Sequence, residues 1–160
     1  MTGPLSWPVL LKRGAPWAHV AASPRTVVEE FAATLPKRKH AAVRILRGMH
    51  CLTKDALLDE FARGLEFPEY FGRNWDALED CLTDLEWLSA ESFVLIITNA
   101  DHVLKKSPGD MKTFAGILSS SAAHWASADP PASFHCVFQC EPASNEDLKH
   151  RLAEGGIPAV

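Results

Sequence analysis

Between Asn74 and Trp87 the chain carries Asp76, Glu79, Asp80, Asp84 and Glu86, and no Lys or Arg interrupts them. Asp76 and Asp80 lie one helical turn apart, so they could serve as a general acid/base pair or hold a divalent cation. The alternative is a face turned toward cations on another molecule. On a helical wheel advancing ~100° per residue, Trp75, Leu78, Cys81, Leu82 and Leu85 fall in one apolar sector. Asp76, Asp80, Thr83 and Trp87 fall opposite, flanked by Glu79 and Asp84. Acid/base work needs surroundings that separate two carboxyl pKa values. A convex helix face supplies neither an apolar nor an electropositive pocket. Like charges at i,i+4 also cost a helix a few tenths of a kcal/mol, and ordinary surface helices mix bases into such a row. What stays open is an acidic face that is either solvated or turned to a basic partner.

Other reactive residues point to packing. Cys136 and Cys140 share one strand face, and His135 and the His50-Cys51 pair could add metal ligands, but no CxxC pair is present. Buried core thiols are the expectation, with no metal and no cofactor. The sequence holds no GxSxG, no phosphate-binding glycine loop and no HExxH, so no catalytic residue is assigned and the chain is read as a non-enzyme.

The elements that must position the acidic run follow from periodicity and caps. Trp17–Ala22 reads as a short strand, and Ser23-Pro24 as the start of a helix carrying Val27, Val28, Phe31 and Leu35, stopped by Pro36. A basic Lys37-Arg38-Lys39 loop precedes a strand at Ala41–Leu46. Thr53 caps a helix with Leu57, Leu58, Phe61 and Leu65 on its apolar face, and Asn74 caps the acidic helix, expected to run to about Trp87. Phe93–Thr98 is an apolar, β-branched strand buried on both faces. Ser107-Pro108 opens a longer helix with Met111, Phe114, Leu118, Ala122 and Trp125 along one side. Phe134–Gln139 is the last strand, and Ser144 with Asp147 resembles the capping box of a closing helix. Three strands joined through helices predict an α/β fold with a small parallel three-stranded sheet and packed helices.

At 160 residues the chain has the size of one domain, and at 47% hydrophobic and 22% charged it has the composition of a packed protein. The longest apolar run, Phe93–Ile97, is far too short to span a membrane. No charged region followed by an apolar stretch opens the chain, so the expectation is an unexported, cytoplasmic protein with reduced thiols. Charge is divided unevenly. Residues 1–54 hold nine Lys/Arg against two Glu, whereas residues 55–91 hold eleven acids against Arg63 and Arg73. So acidic a centre repels phosphate backbones, which excludes nucleic acid as the expected partner and favours a basic protein.

The run Phe67-Pro-Glu-Tyr-Phe-Gly-Arg-Asn-Trp-Asp-Ala-Leu-Glu-Asp-Cys-Leu-Thr83 resembles the barstar family of intracellular ribonuclease inhibitors at Pro68, Tyr70, Phe71, Gly72, Asn74, Asp76, Ala77, Leu78, Asp80, Cys81 and Leu82. The order of elements over residues 42–140 is similar to the family's as well. The resemblance implies a barstar-like domain at 41–160, and residues 1–40 lie outside it. The apolar stripe of Val27, Val28, Phe31 and Leu35 is too wide to leave in water, so residues 1–40 are expected to form a strand/helix extension packed on that domain. The resemblance also implies a monomer that plugs the active site of a basic secreted ribonuclease with the acidic helix and the loop before it. Asp80 would then occupy the place of an RNA phosphate, Asp76 would pair with a neighbouring base, and Tyr70 would pack on a catalytic His. Phe71, Gly72, Asn74, Glu79, Thr83 and Asp84 complete the expected contact. Glu79, Asp84 and Leu85 depart from the family's type member, and a Ser among Ser119–Ser121 stands where that member has a carboxylate. A second reading stays open, a regulatory protein-binding module that uses the same fold against a partner other than a nuclease.

Overall fold

In the computed structural model, which describes residues 5–35 and 40–157, the chain runs through α1 (Trp7–Leu10), β1 (Ala18–Ala22), α2 (Arg25–Ala32), β2 (Ala41–Arg47), α3 (Lys54–Leu65), α4 (Trp75–Leu82), β3 (Ser92–Thr98), α5 (Met111–Ser127), β4 (Ser133–Cys140) and α6 (Asn145–Glu154). The Lys37-Arg38-Lys39 loop and the Pro36 stop lie outside the described residues. Among those residues no helix is long and apolar enough to cross a membrane.

The sheet is parallel, but it has four strands in the order β1-β4-β3-β2, not the expected three. The added strand is β1, which lies beside β4 with Ala18 opposite Cys136 and Ala22 opposite Cys140. The reason is visible in β4, every residue of which is buried. A strand sealed on both faces and on one edge by β3 leaves costly unpaired backbone groups unless its other edge is covered. β1 supplies that cover, and its small residues, Ala18, Ala21 and Ala22, let it lie under both helical layers.

Two apolar layers close the sheet. On one face Phe93, Leu95, Ile97, Phe134, Cys136 and Phe138 meet Leu57, Phe61, Leu78, Leu82, Phe114 and Leu118 from α3, α4 and α5. On the other face Val94, Ile96 and Val137 meet Leu10 and Val28, with Trp7 and Phe31 packed against them. Trp7 and Phe31 stack at 4.6 Å between ring centroids, and the Trp7 indole donates to Thr34 Oγ1 at 2.8 Å. Helices α1 and α2 are therefore the second layer that an all-buried β3 requires.

The exposed edge of the sheet is β2, and side chains cover its free backbone groups. Arg47 N–H donates to Glu60 Oε2 at 2.8 Å, Arg63 donates to Ile45 O at 3.3 Å, and Arg44 donates to Val43 O at 3.2 Å. Glu60 is buried and is also bound by the guanidinium groups of Arg47 and Arg63. Burial pushes its pKa up, but the hydrogen bonds from Arg63 and Arg47 outweigh that and hold it down at about 2.

Three local expectations need correction. Helix α2 ends at Ala32, capped by Pro24 without a side-chain bond, so Ser23 is not its cap. Ser144 makes no capping bond to α6, because it belongs to a 3-10 turn, Pro142–Ser144, whose backbone has already turned helical. The acidic helix ends at Leu82, not Trp87. Leu85 takes a left-handed conformation (φ 47°) and a 3-10 turn, Glu86–Leu88, follows. This break buries Leu85 completely and lets the Trp87 indole donate to Leu65 O at 2.8 Å. A continued helix would have turned Trp87 to solvent.

Candidate functional site

Helix α4 is fixed at both ends by its own side chains. Asn74 Oδ1 accepts from Ala77 N at 2.7 Å, and Thr83 Oγ1 donates to Glu79 O at 2.9 Å. Its inner face is Leu78, Cys81 and Leu82, all buried, and the α5 indole of Trp125 donates to Leu82 O at 2.8 Å. Lys54 lies over the Trp75 ring at 5.5 Å. These contacts leave Asp76 and Asp80 on the exposed side. Among the described residues neither makes an ion pair, and neither do Glu79, Asp84 and Glu86.

The loop before α4 is held as firmly. Glu66 leaves α3 in a left-handed conformation, Phe71 N donates to Pro68 O at 3.0 Å, and Phe67 meets Phe71 and Trp87 edge-on at 4.8 and 6.0 Å. Phe71 is thus half-buried and serves as an anchor. Arg73 turns away from the acidic face to Asp59, with its Nε 2.8 Å from Oδ1. Tyr70 is left 68% exposed. Partial desolvation, then the charge of Asp84, raises the Tyr70 pKa, so it stands as a neutral phenol beside carboxylates.

Gly72 is exposed, and a Cβ built on it would meet Asn74 Nδ2 at 3.4 Å and Ala77 Cβ at 3.6 Å, which is ordinary contact. Among the described residues nothing requires a glycine there. Glu79 is half-buried and accepts from Ser120 of α5 at 3.2 Å. Among Ser119–Ser121, Ser120 is therefore the one that reaches α4, while Ser121 is buried and bonds Ile117 O.

All nine sequence-derived residues, Tyr70, Phe71, Gly72, Asn74, Asp76, Glu79, Asp80, Thr83 and Asp84, lie in this one loop and helix and the turn that ends it. Thr83 and Asp84 are half-buried, and Thr83 serves the helix terminus. The acidic surface extends past α4 through Glu86 to Glu91, which borders a cavity floored by Trp125. Helical periodicity places Trp125 in the core stripe of α5, and no local signal joins it to Glu91.

The other reactive side chains are apart from this face. The thiols of Cys51, Cys81, Cys136 and Cys140 are all buried, and burial raises each of them, Cys51 to about 12 and Cys140 to about 11. His135 points to the opposite side of the sheet from Cys136 and meets His19. Among the described residues no three potential metal ligands converge.

Residues 41–139 match a protein-family model described as barstar, the barnase inhibitor. No curated protein matches the chain. Among solved structures, a chain in the "Structure of Drosophila ORC bound to AT-rich DNA and Cdc6" is similar at 13% identity and a TM-score of 0.47, over 86% of this chain and 46% of that one.

Proposed function

The chain belongs to the barstar family, matched over residues 41–139, and we propose that it inhibits a basic ribonuclease by closing that enzyme's active site with α4 and the loop before it. The observation that carries this reading is the row of exposed carboxylates, Asp76 and Asp80, which repel each other one helical turn apart and make no ion pair among the described residues. A ribonuclease site is built of cations that hold a phosphate, and a carboxylate meets Arg and Lys groups with the same charge and hydrogen-bond geometry.

Asp80 takes the phosphate position, Asp76 pairs with an adjacent base, and the neutral Tyr70 phenol packs on the catalytic His. Gly72 and Asn74 lie against the enzyme, where a side chain at position 72 would hold the surfaces apart. Glu79, Thr83 and Asp84 form the edge of the contact. No catalytic group, cofactor or metal is needed, because the inhibitor works by occupying the site.

The test is an RNA-cleavage assay with a basic, barnase-like ribonuclease, followed by isothermal titration. Stoichiometric inhibition is expected, with Asp80→Ala weakening binding by about 3 kcal/mol or more, roughly a hundred-fold, since it strands desolvated cations. A loss below ~1 kcal/mol would remove Asp80 from the phosphate position. Failure to inhibit any basic ribonuclease, with tight binding of a protein that is not a nuclease, would favour the regulatory-module reading.

A further inference from the structure

Where α4 ends, the chain builds a cavity of about 360 Å³ between that terminus and the start of β3. Its floor is apolar, formed by Leu85, Phe93 and Trp125, and its rim carries Asp84, Glu86 and Glu91. The indole is rigid: Nε1 donates to Leu82 O at 2.8 Å and the ring packs on Phe93 at 4.8 Å. A second cavity of about 520 Å³, lined also by Arg13 and His124, shares Ala90, Glu91 and Trp125 with the first.

The backbone around the first cavity is strained. His40, Leu85 and Ser89, all lining it, hold φ of 45°, 48° or a value between them. Left-handed backbone is unfavourable for residues with a Cβ and gathers at binding sites. At Leu85 that conformation ends α4 and sets Asp84 and Glu86, its two neighbours, on the rim.

An aromatic floor with three carboxylates around it matches one natural side chain. A guanidinium is planar, stacks on indole, and donates to two carboxylates at once, while an ammonium does none of these together. We propose that this cavity receives an arginine side chain of the protein partner, a second anchor beyond the face of Asp76 and Asp80. The proposal extends the contact surface put forward above, but it fixes the chemistry of the occupant and not the identity of the partner.

The test needs no nuclease. Acetyl-Gly-Arg-Gly-amide is titrated into the full chain while the Trp125 indole N–H is followed by NMR, with the citrulline and lysine peptides as controls. A saturable shift of that resonance is expected with arginine, a weaker one with lysine and none with citrulline. Glu86→Gln and Glu91→Gln, both at exposed positions, should each weaken the arginine peptide by about two- to five-fold. Equal responses to arginine and citrulline, or arginine shifts confined to Asp76 and Asp80, would overturn the proposal. Because Asp80 is outside the cavity, failure here leaves the ribonuclease assay unaffected, and failure there leaves this titration interpretable.

Discussion

The sheet face under α1 hides two histidines whose titration should govern stability in mild acid. His19 on β1 and His135 on β4 are both buried, with His19 Nε2 2.9 Å from His135 Nδ1 and His135 Nε2 2.6 Å from Lys12 O. A carbonyl only accepts, so His135 carries its proton on Nε2, and its neutral Nδ1 accepts from His19 Nε2–H. Burial, then the neighbouring His135, lowers His19 to about 4, and burial lowers His135 as well. Both groups are neutral in the fold and bind protons more readily when unfolded. Their contribution is therefore present above the unfolded pKa near 6.5 and is lost as pH falls from there toward 4. For His19 alone, a shift from 6.5 to about 4 predicts a loss of about 2 kcal/mol between pH 7 and pH 5. Urea unfolding of wild type and His19→Gln at the two pH values is the assay, since the Gln amide can still donate to His135 but does not titrate. The variant should show about 2 kcal/mol less pH dependence than wild type. Glu60 does not confuse the window, because its lowered pKa removes stability only as pH falls from about 4.5 toward 2. An identical pH dependence in the two proteins would refute the hydrogen-bond chain.

Three further outcomes separate fold from site. Gly72→Ala should change stability by less than about 0.5 kcal/mol, since its Cβ fits; unchanged affinity for the inhibited ribonuclease would remove Gly72 from the contact, while at least a ten-fold loss is expected. Glu60→Ala strands the Arg47 N–H of the edge strand, and thermal unfolding should show a cost of about 1–3 kcal/mol. Size-exclusion chromatography should also show self-association through the uncovered edge, and a stable monomer would argue against Glu60 as its cover. Asp80→Asn removes a charge that is unpaired among the described residues from a row of like charges, so the melting temperature should hold or rise slightly while nuclease binding falls at least ten-fold; a large loss of stability would mean that Asp80 serves the fold.

What the sequence made legible was local or periodic. Thr53 and Asn74 bond the third residue beyond them, as their positions predicted. Phe93–Thr98 shows its double burial in its apolar, β-branched composition. The acidic face was readable because its members are contiguous in the chain. β1 was harder to place, because Ala-His-Val-Ala-Ala has little β-branched character and its partner strand lies more than a hundred residues away. The same separation hides the His19–His135 contact. The early end of α4 is a tertiary effect: burial of Leu85 and the bond from Trp87 to Leu65 O favour a left-handed residue over a helix continued to Trp87. The cavity beyond it draws on residues from 40 to 125, which no spacing pattern joins.

The division of labour within α4 explains how so short a helix can hold a row of carboxylates in a fixed place. Eight residues form too few internal hydrogen bonds to persist alone, and here Leu78, Cys81 and Leu82 fix the helix to the core. Asn74 and Thr83 hold its ends, and Trp125 holds a carbonyl of its last turn. With position and orientation set by these groups, the outward residues are free of structural duty. Asp76 and Asp80 can then be mutually repulsive and still stand in a fixed place, which removes the ordering entropy that a flexible acidic loop would lose on binding. The helix is in this sense ordered in advance of the binding proposed for it. In the proposed complex its carboxylates would gain the counter-charges that the described residues do not supply.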